Sequence, residues 1–387
     1  MKPFDSVPVT GLSPKGFFTG TGQTGREFFC LYTDIGETVS GEAFRKKRKN
    51  YLRADEIEKA PSPFRILPPC PSFTQCGGCD LQHLSIVREE ELKTEIASTL
   101  LKGPPERQIS SPFTYGYRNN MEFTYTSDAT GLHRKLSRRL LDIPQCSLAE
   151  TSINEALASF RSRSPKGEGE IRFISTDHGV LERIYPKYQS KETDIGQLIY
   201  GTKTVDDIIY HVSPDTFFQS NDSILPLWLN ALLEWAREVA SPADSCLDLY
   251  CGSGTITLKL ASFFNRVTGI EGNPLSLFLF EKSRKANGLS SREIHFIQGD
   301  LFTHDLKRVS GDLLVVNPPR GGLSALVKSF IREKNFPYIL YSSCNVQTFA
   351  RDLAELPSYR LEKYLILNMF PRTFHFEIVG RLKLKED

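Results

Sequence analysis

Between residues 245 and 343, five short apolar runs, at 245–250, 267–271, 294–298, 313–317 and 338–343, alternate with helical patterns starting near 257, 275, 323 and 346. Strands separated by helices cannot pair as hairpins. Each has to cross over to its neighbour, so the pattern predicts an open, mostly parallel sheet with helices on both faces. Two further apolar segments, near 361–367 and 377–382, bring the expected strands to seven. Ligands of such sheets bind beyond the carboxyl ends of the strands.

Those strand ends carry the chemistry. The first runs Leu247-Asp248-Leu249-Tyr250-Cys251-Gly252-Ser253-Gly254, a strand, a glycine turn and a helix start, which lets backbone amides approach a cofactor closely. The second ends at Glu271, 17 residues past Gly254, where a carboxylate can accept both ribose hydroxyls, and the third ends near Asp300, placed for an adenine. A nicotinamide dinucleotide site would want a third glycine where Ile256 and Thr257 stand, so adenosylmethionine is the preferred ligand. The fourth ends Asn317-Pro318-Pro319-Arg320, and its two prolines force a rigid extended turn toward the same crevice. The fifth closes on Ser342-Ser343-Cys344-Asn345. A lone cysteine there is either a small buried hydrophobe or a nucleophile facing the bound ligand.

The length of 387 residues exceeds one ordinary core and predicts more than one domain. Lys and Arg number 48 against 46 Asp and Glu, a net charge of +2, so any nucleic-acid site has to be local. The first five residues lack a signal-peptide pattern and no run is long enough to span a bilayer, so no membrane role and a cytoplasmic location are expected. The eight cysteines are too unevenly spread for a disulfide framework.

Residues 7–52 alternate short apolar runs with glycines, the texture of a small all-β barrel, and end in the cations Arg45 to Lys49 beside Tyr51. Such a run is either a solvated edge or a grip on single-stranded RNA. A proline-rich linker leads to Cys70, Cys76 and Cys79, spaced C-x5-C-x2-C around Gly77 and Gly78, with Cys146 far downstream. Thiols so clustered suit zinc or iron–sulfur, and a triplet completed by one remote cysteine favours a [4Fe–4S] cluster. Helices are expected at 87–101 and 153–161, and strands over 113–125, 170–175, 179–185 and up to 212. The expected division is a barrel over 1–60, a central cysteine-bearing β domain over 61–212 and a catalytic domain over 213–387. The last opens with Phe217-Phe218-Gln219-Ser220-Asn221 and a helix at 225–239.

With these motifs, the chain resembles the RNA uracil-5-methyltransferase family, in particular its iron–sulfur branch acting on 23S ribosomal RNA. The resemblance runs essentially full length and ends in Phe370-Pro371-Arg372-Thr373-Phe374-His375-Phe376-Glu377. It implies a class I S-adenosylmethionine-dependent methyltransferase sheet of seven strands, a TRAM-like or OB-like N-terminal barrel, an RNA substrate and a monomer. It further implies that Cys344 is the nucleophile, Glu377 the base, and Cys70, Cys76, Cys79 and Cys146 the cluster ligands. Gln219, Tyr250, Thr255, Glu271, Asp300 and Asn317 would line the cofactor pocket. The family has aspartate where this chain has Asn317, so a charge-assisted hydrogen bond is lost there. Two other readings stay open: an amino-group methyltransferase using the Asn-Pro-Pro turn, and a non-catalytic iron–sulfur RNA-binding protein.

Overall fold

The computed structural model describes residues 6–190, 192–290 and 293–386. Residues 1–5, read above for a signal peptide, lie outside the described residues. The chain forms two compact units, each assembled from separated segments: unit 1 from residues 1–105, 133–139 and 370–375, unit 2 from 106–132, 140–369 and 376–387. The three consecutive domains expected above divide the chain differently, with the barrel and the Cys70–Cys79 segment falling together in unit 1.

In unit 1, β1 (Val7–Leu12), β2 (Phe18–Thr21), β3 (Glu27–Leu31), β4 (Thr38–Lys46) and β5 (Lys49–Lys59) close into a barrel in the order β1-β2-β3-β5-β4. Closure leaves no open edge. Alternation along the strands sends Val7, Val9, Phe18, Phe28, Val39 and Leu52 inward, and Leu81, Leu84 and Leu92 complete the cluster. The helix α1 (Ile86–Leu101) is capped by the Ser85 hydroxyl, which accepts from the Arg88 N–H. Among its glutamates, Glu89 is fully buried: it pairs with Lys93 at 2.7 Å and accepts the backbone N–H of Arg372. Desolvation of such a pair cancels much of its attraction, so removing one partner costs more than the intact pair contributes.

Unit 2 begins with β6 (Arg107–Ile109). It continues through a five-stranded antiparallel sheet made of β7 (Asn120–Tyr125), β8 (Thr130–His133), β9 (Leu140–Asp142), β10 (Gly169–Thr176) and β11 (Gly179–Pro186), ordered β11-β10-β7-β8-β9. The helix α2 (Thr151–Ser162) packs Ile153, Leu157 and Phe160 on its inner face. Of the stretch 113–125 expected as strand, the first part is irregular: Gly116 has φ of 60° and Arg118 makes isolated bridges to Ala149 and Asn221. The hairpin of β12 (Gly201–Val205) and β13 (Ile208–Val212) precedes α3 (Leu225–Val239), which buries Trp228 and Trp235 completely.

The largest sheet follows with β14 (Ser245–Leu249), α4 (Thr255–Leu260), β15 (Arg266–Glu271), α5 (Pro274–Ala286), β16 (Ile294–Gln298), β17 (Leu313–Val316), α6 (Ala325–Lys334), β18 (Tyr338–Ser343), α7 (Val346–Ala354), β19 (Tyr359–Leu367) and β20 (Glu377–Leu384). Its order is β16-β15-β14-β17-β18-β20-β19-β6. The seven expected strands are present, with β20 inserted antiparallel between β18 and β19. An eighth, β6, pairs in parallel with β19, and its three residues are too few to show periodicity in sequence. The order reverses between β14 and β17, which opens a crevice at their carboxyl ends.

Candidate active site

The glycine turn after β14 has the geometry a cofactor loop needs. Tyr250, Gly252 and Gly254 have φ of 63°, 57° and 87°. A Cβ on Gly254 would lie 1.9 Å from Phe280, so α5 packs where a side chain would be, while a Cβ on Gly252 would meet nothing within 4 Å. The loop therefore faces open space on one side and α5 on the other. Glu271, ending β15, accepts the Gly252 N–H at 3.1 Å and the Asn273 N–H at 2.8 Å. Its two oxygens are thereby fixed at the crevice, each with a lone pair to spare.

Of the other expected cofactor residues, Asp300 and Asn317 come from neighbouring strand ends, whereas Thr255 and Gln219 do not. Asp300, two residues past β16, is exposed and accepts the Phe302 N–H at 2.9 Å. Asn317 follows β17, and its N–H donates to Leu249 O at 3.4 Å. The Tyr250 hydroxyl accepts the Ser324 N–H at 3.0 Å, and the carbonyl of Thr255, first in α4, accepts the Tyr210 hydroxyl at 3.3 Å. Gln219 is buried in the segment before α3, where its carbonyl accepts from the Asn119 side chain at 2.8 Å.

Asp248 has a part that the motif alone did not reveal. It is fully buried in β14, its Oδ2 accepts the Thr257 hydroxyl at 2.6 Å, and its Oδ1 has no hydrogen-bond partner. Burial pushes this carboxyl up to about 7. An orphaned oxygen beneath a glycine loop with open space suits an adenosylmethionine-like ligand bearing polar donors.

Cys344 emerges half-buried from β18. Asn345 caps α7, its Oδ1 accepting from Gln347 N at 3.1 Å and Thr348 N at 3.4 Å, so the thiol stands just ahead of a helix N-terminus. That end, with its positive partial charge, favours a thiolate. The Arg320 side chain bonds to the thiol and lowers its pKa, but burial and the Glu377 charge outweigh it and push the thiol up to about 11. The Asn345 amide ties this corner to the proline turn by donating to Arg320 O at 3.3 Å.

Glu377 arrives from the opposite direction as the first residue of β20. The register pairs Ser343 with Ile378, which sets the carboxyl beside the junction that carries Cys344. It is almost wholly buried and burial raises it to about 8, against the opposing hydrogen bond from Ser342. Ser342 stands two residues before Cys344, and that spacing was the signal available in sequence. Trp228, behind Ser342, gave no such signal.

The expected metal ligands are divided: Cys70, Cys76 and Cys79 belong to unit 1 and Cys146 to unit 2. Among the described residues, no group of three or more His, Cys, Asp or Glu side chains is gathered as a metal site. Two sulfurs accept hydrogen bonds, Cys79 from the Gln82 amide at 3.0 Å and Cys76 from the Gly78 N–H at 3.4 Å. This chemistry suits thiolates, whereas the gathered arrangement that a cluster needs is not seen.

A parallel sheet that reverses between β14 and β17, a glycine loop with a carboxylate on the next strand, and an antiparallel last strand define a class I methyltransferase fold. Residues 199–385, just under half of the chain, match the model of the tRNA (Uracil-5-)-methyltransferase family. It is 26% identical to the 23S rRNA (uracil(1939)-C(5))-methyltransferase of Chromohalobacter salexigens, over 96% of this chain and 88% of that one. It is 29% identical to the tRNA (uracil(54)-C(5))-methyltransferase of Pyrococcus horikoshii, over 83% of this chain and 87% of that one. The solved structure of the Pyrococcus abyssi tRNA (uracil-54, C5)-methyltransferase in complex with S-adenosyl-L-homocysteine superposes with a TM-score of 0.76, covering 98% of this chain and 100% of that one. At 22% identity it shows a shared fold.

Proposed function

We propose that this protein transfers a methyl group from S-adenosylmethionine to carbon 5 of a uridine in RNA, through a covalent adduct between Cys344 and carbon 6. The observation that carries this reading is the juxtaposition of a thiol and a buried carboxyl, Cys344 and Glu377, at the carboxyl edge of a methyltransferase sheet.

Tyr250, Thr255, Glu271, Asp300, Asn317 and Gln219 would hold the cofactor, which when bound supplies an electrophilic methyl. Uracil carbon 5 is too weak a nucleophile to take it unaided. Once Cys344 has lost its proton, its sulfur bonds to carbon 6 and the ring electrons shift to make an enolate whose carbon 5 accepts the methyl. Arg320 and the α7 N-terminus favour the thiolate needed for that addition. Glu377 then takes the proton from carbon 5, the carbon 5–carbon 6 double bond re-forms, and the thiolate leaves. Only the carboxylate form can act as base, so this step quickens as pH rises toward 8. The target base has to be single-stranded or flipped out to reach the thiol.

An RNA with 5-fluorouridine at the target tests the pathway, because fluorine cannot leave as a cation. It should become covalently attached after methyl transfer, and Cys344→Ala should abolish both attachment and turnover. Full activity in the Cys344→Ala protein would refute the proposal; an amino-group methyltransferase would form no adduct, and a non-catalytic binder would consume no cofactor.

The finer substrate we propose is 23S ribosomal RNA, met in the cytoplasm by a monomer. A cysteine-bearing segment and a barrel with a cationic hairpin precede the catalytic half, and that hairpin offers a backbone-tracking grip. Mapping 5-methyluridine in a deletion strain should show loss from ribosomal RNA; loss confined to transfer RNA would overturn the assignment.

A [4Fe–4S] cluster on Cys70, Cys76, Cys79 and Cys146 remains our proposal, supported by their spacing and by the N–H groups bonded to two of the sulfurs. Protein purified without oxygen should contain iron and sulfide. One zinc and no sulfide would sink it.

A further inference from the structure

The carboxyl of Glu377 is one end of a hydrogen-bond chain reaching into the core. Ser342 Oγ donates to Glu377 Oε1 at 2.5 Å, and the indole Nε1 of Trp228, on α3, donates to the same Oγ at 3.0 Å. Trp228 and Ser342 have no exposed surface, and Glu377 is 3% exposed. An indole nitrogen is a donor and nothing else. By filling a lone pair of Ser342 Oγ, it leaves the hydroxyl proton to seek an acceptor, and among the described residues Glu377 is the acceptor it finds. The chain therefore has a fixed polarity, from Trp228 to Ser342 to Glu377.

We propose that Ser342, oriented by Trp228, is a positioning residue that favours the ionised, proton-accepting form of Glu377 for the step after methyl transfer. The inference rests on the reading of Glu377 as the base. A hydrogen bond donated to a carboxylate stabilises its charge, and here it opposes the burial that raises this group to about 8. Cys344 faces the carboxyl from the β18–α7 junction, with Arg320 of the proline turn bonded to that thiol. From α3 comes the neutral Trp228, and from β19 the apolar Leu367 as register partner.

Single-turnover release of tritium from carbon 5 of the target uridine reads the proton-removal step, while attachment of 5-fluorouridine RNA reads the steps before it. Ser342→Ala should move the midpoint of the tritium-release pH profile upward by about one unit, slowing release roughly tenfold below the midpoint relative to adduct formation. Ser342→Thr, which keeps a hydroxyl, should restore the native profile, whereas its isostere Ser342→Val should behave as the alanine variant does. The Thr and Val pair carries the comparison if the alanine protein fails to fold. Trp228→Phe should shift the midpoint in the same direction by less. An unmoved midpoint in Ser342→Ala, with Glu377→Gln still blocking release, would overturn the relay and spare the base. Native release from Glu377→Gln would instead show that the reading of the base had failed.

Discussion

Burial and the Glu377 charge raise the Cys344 thiol, and Arg320 beside it acts in the opposite sense. With the thiol raised to about 11, alkylation of Cys344 by iodoacetamide should keep accelerating beyond pH 9. Arg320→Ala removes an influence that lowers the thiol, so alkylation at fixed pH should slow. Glu377→Gln removes one that raises it, so alkylation should quicken. Mass spectrometry of the Cys344 peptide follows all three, and identical rates in the two variants would contradict the electrostatics. Cys344 was legible because it closes an apolar strand. Glu377 was legible through family resemblance alone, since a glutamate opening an apolar run has nothing local to mark it as buried. The role of Ser342 needed the register of β18 against β20, which no window of sequence contains.

The basic run shows how an element can hide. The register of β4 and β5 pairs Lys46 with Lys49, so Lys47 and Arg48 form a two-residue turn with φ of 47° and 63°. A turn with both residues in the left-handed region favours asparagine and glycine, and without those letters the hairpin could not be read from sequence. Two bulky cations held there store strain of about 1 kcal/mol or more. The double substitution Lys47→Asn with Arg48→Gly should therefore raise the melting temperature. If the hairpin grips RNA, the same change should weaken binding and flatten its salt dependence. A melting temperature that fell would refute the strain, and an unchanged salt slope would refute the grip.

Seven of the eight strands of the largest sheet were legible because each is a separate apolar run in the sequence. The two-unit division was not, since it depends on which distant segments pack together, and composition changes along the chain do not report that. In unit 1 the backbone N–H of Arg372 reaches Glu89, 283 residues earlier in the chain. The ribosome therefore delivers this unit in instalments. Strands β1 to β5 are consecutive and can close as soon as they emerge, but residues 370–375 are synthesised after β14 to β19 of the other unit. Until then the buried carboxylate of Glu89 has Lys93 and lacks the Arg372 N–H that reaches both of its oxygens. Vectorial synthesis ordinarily lets an N-terminal domain finish folding before its successor begins; here the first piece to be translated has to wait for the second to be almost complete.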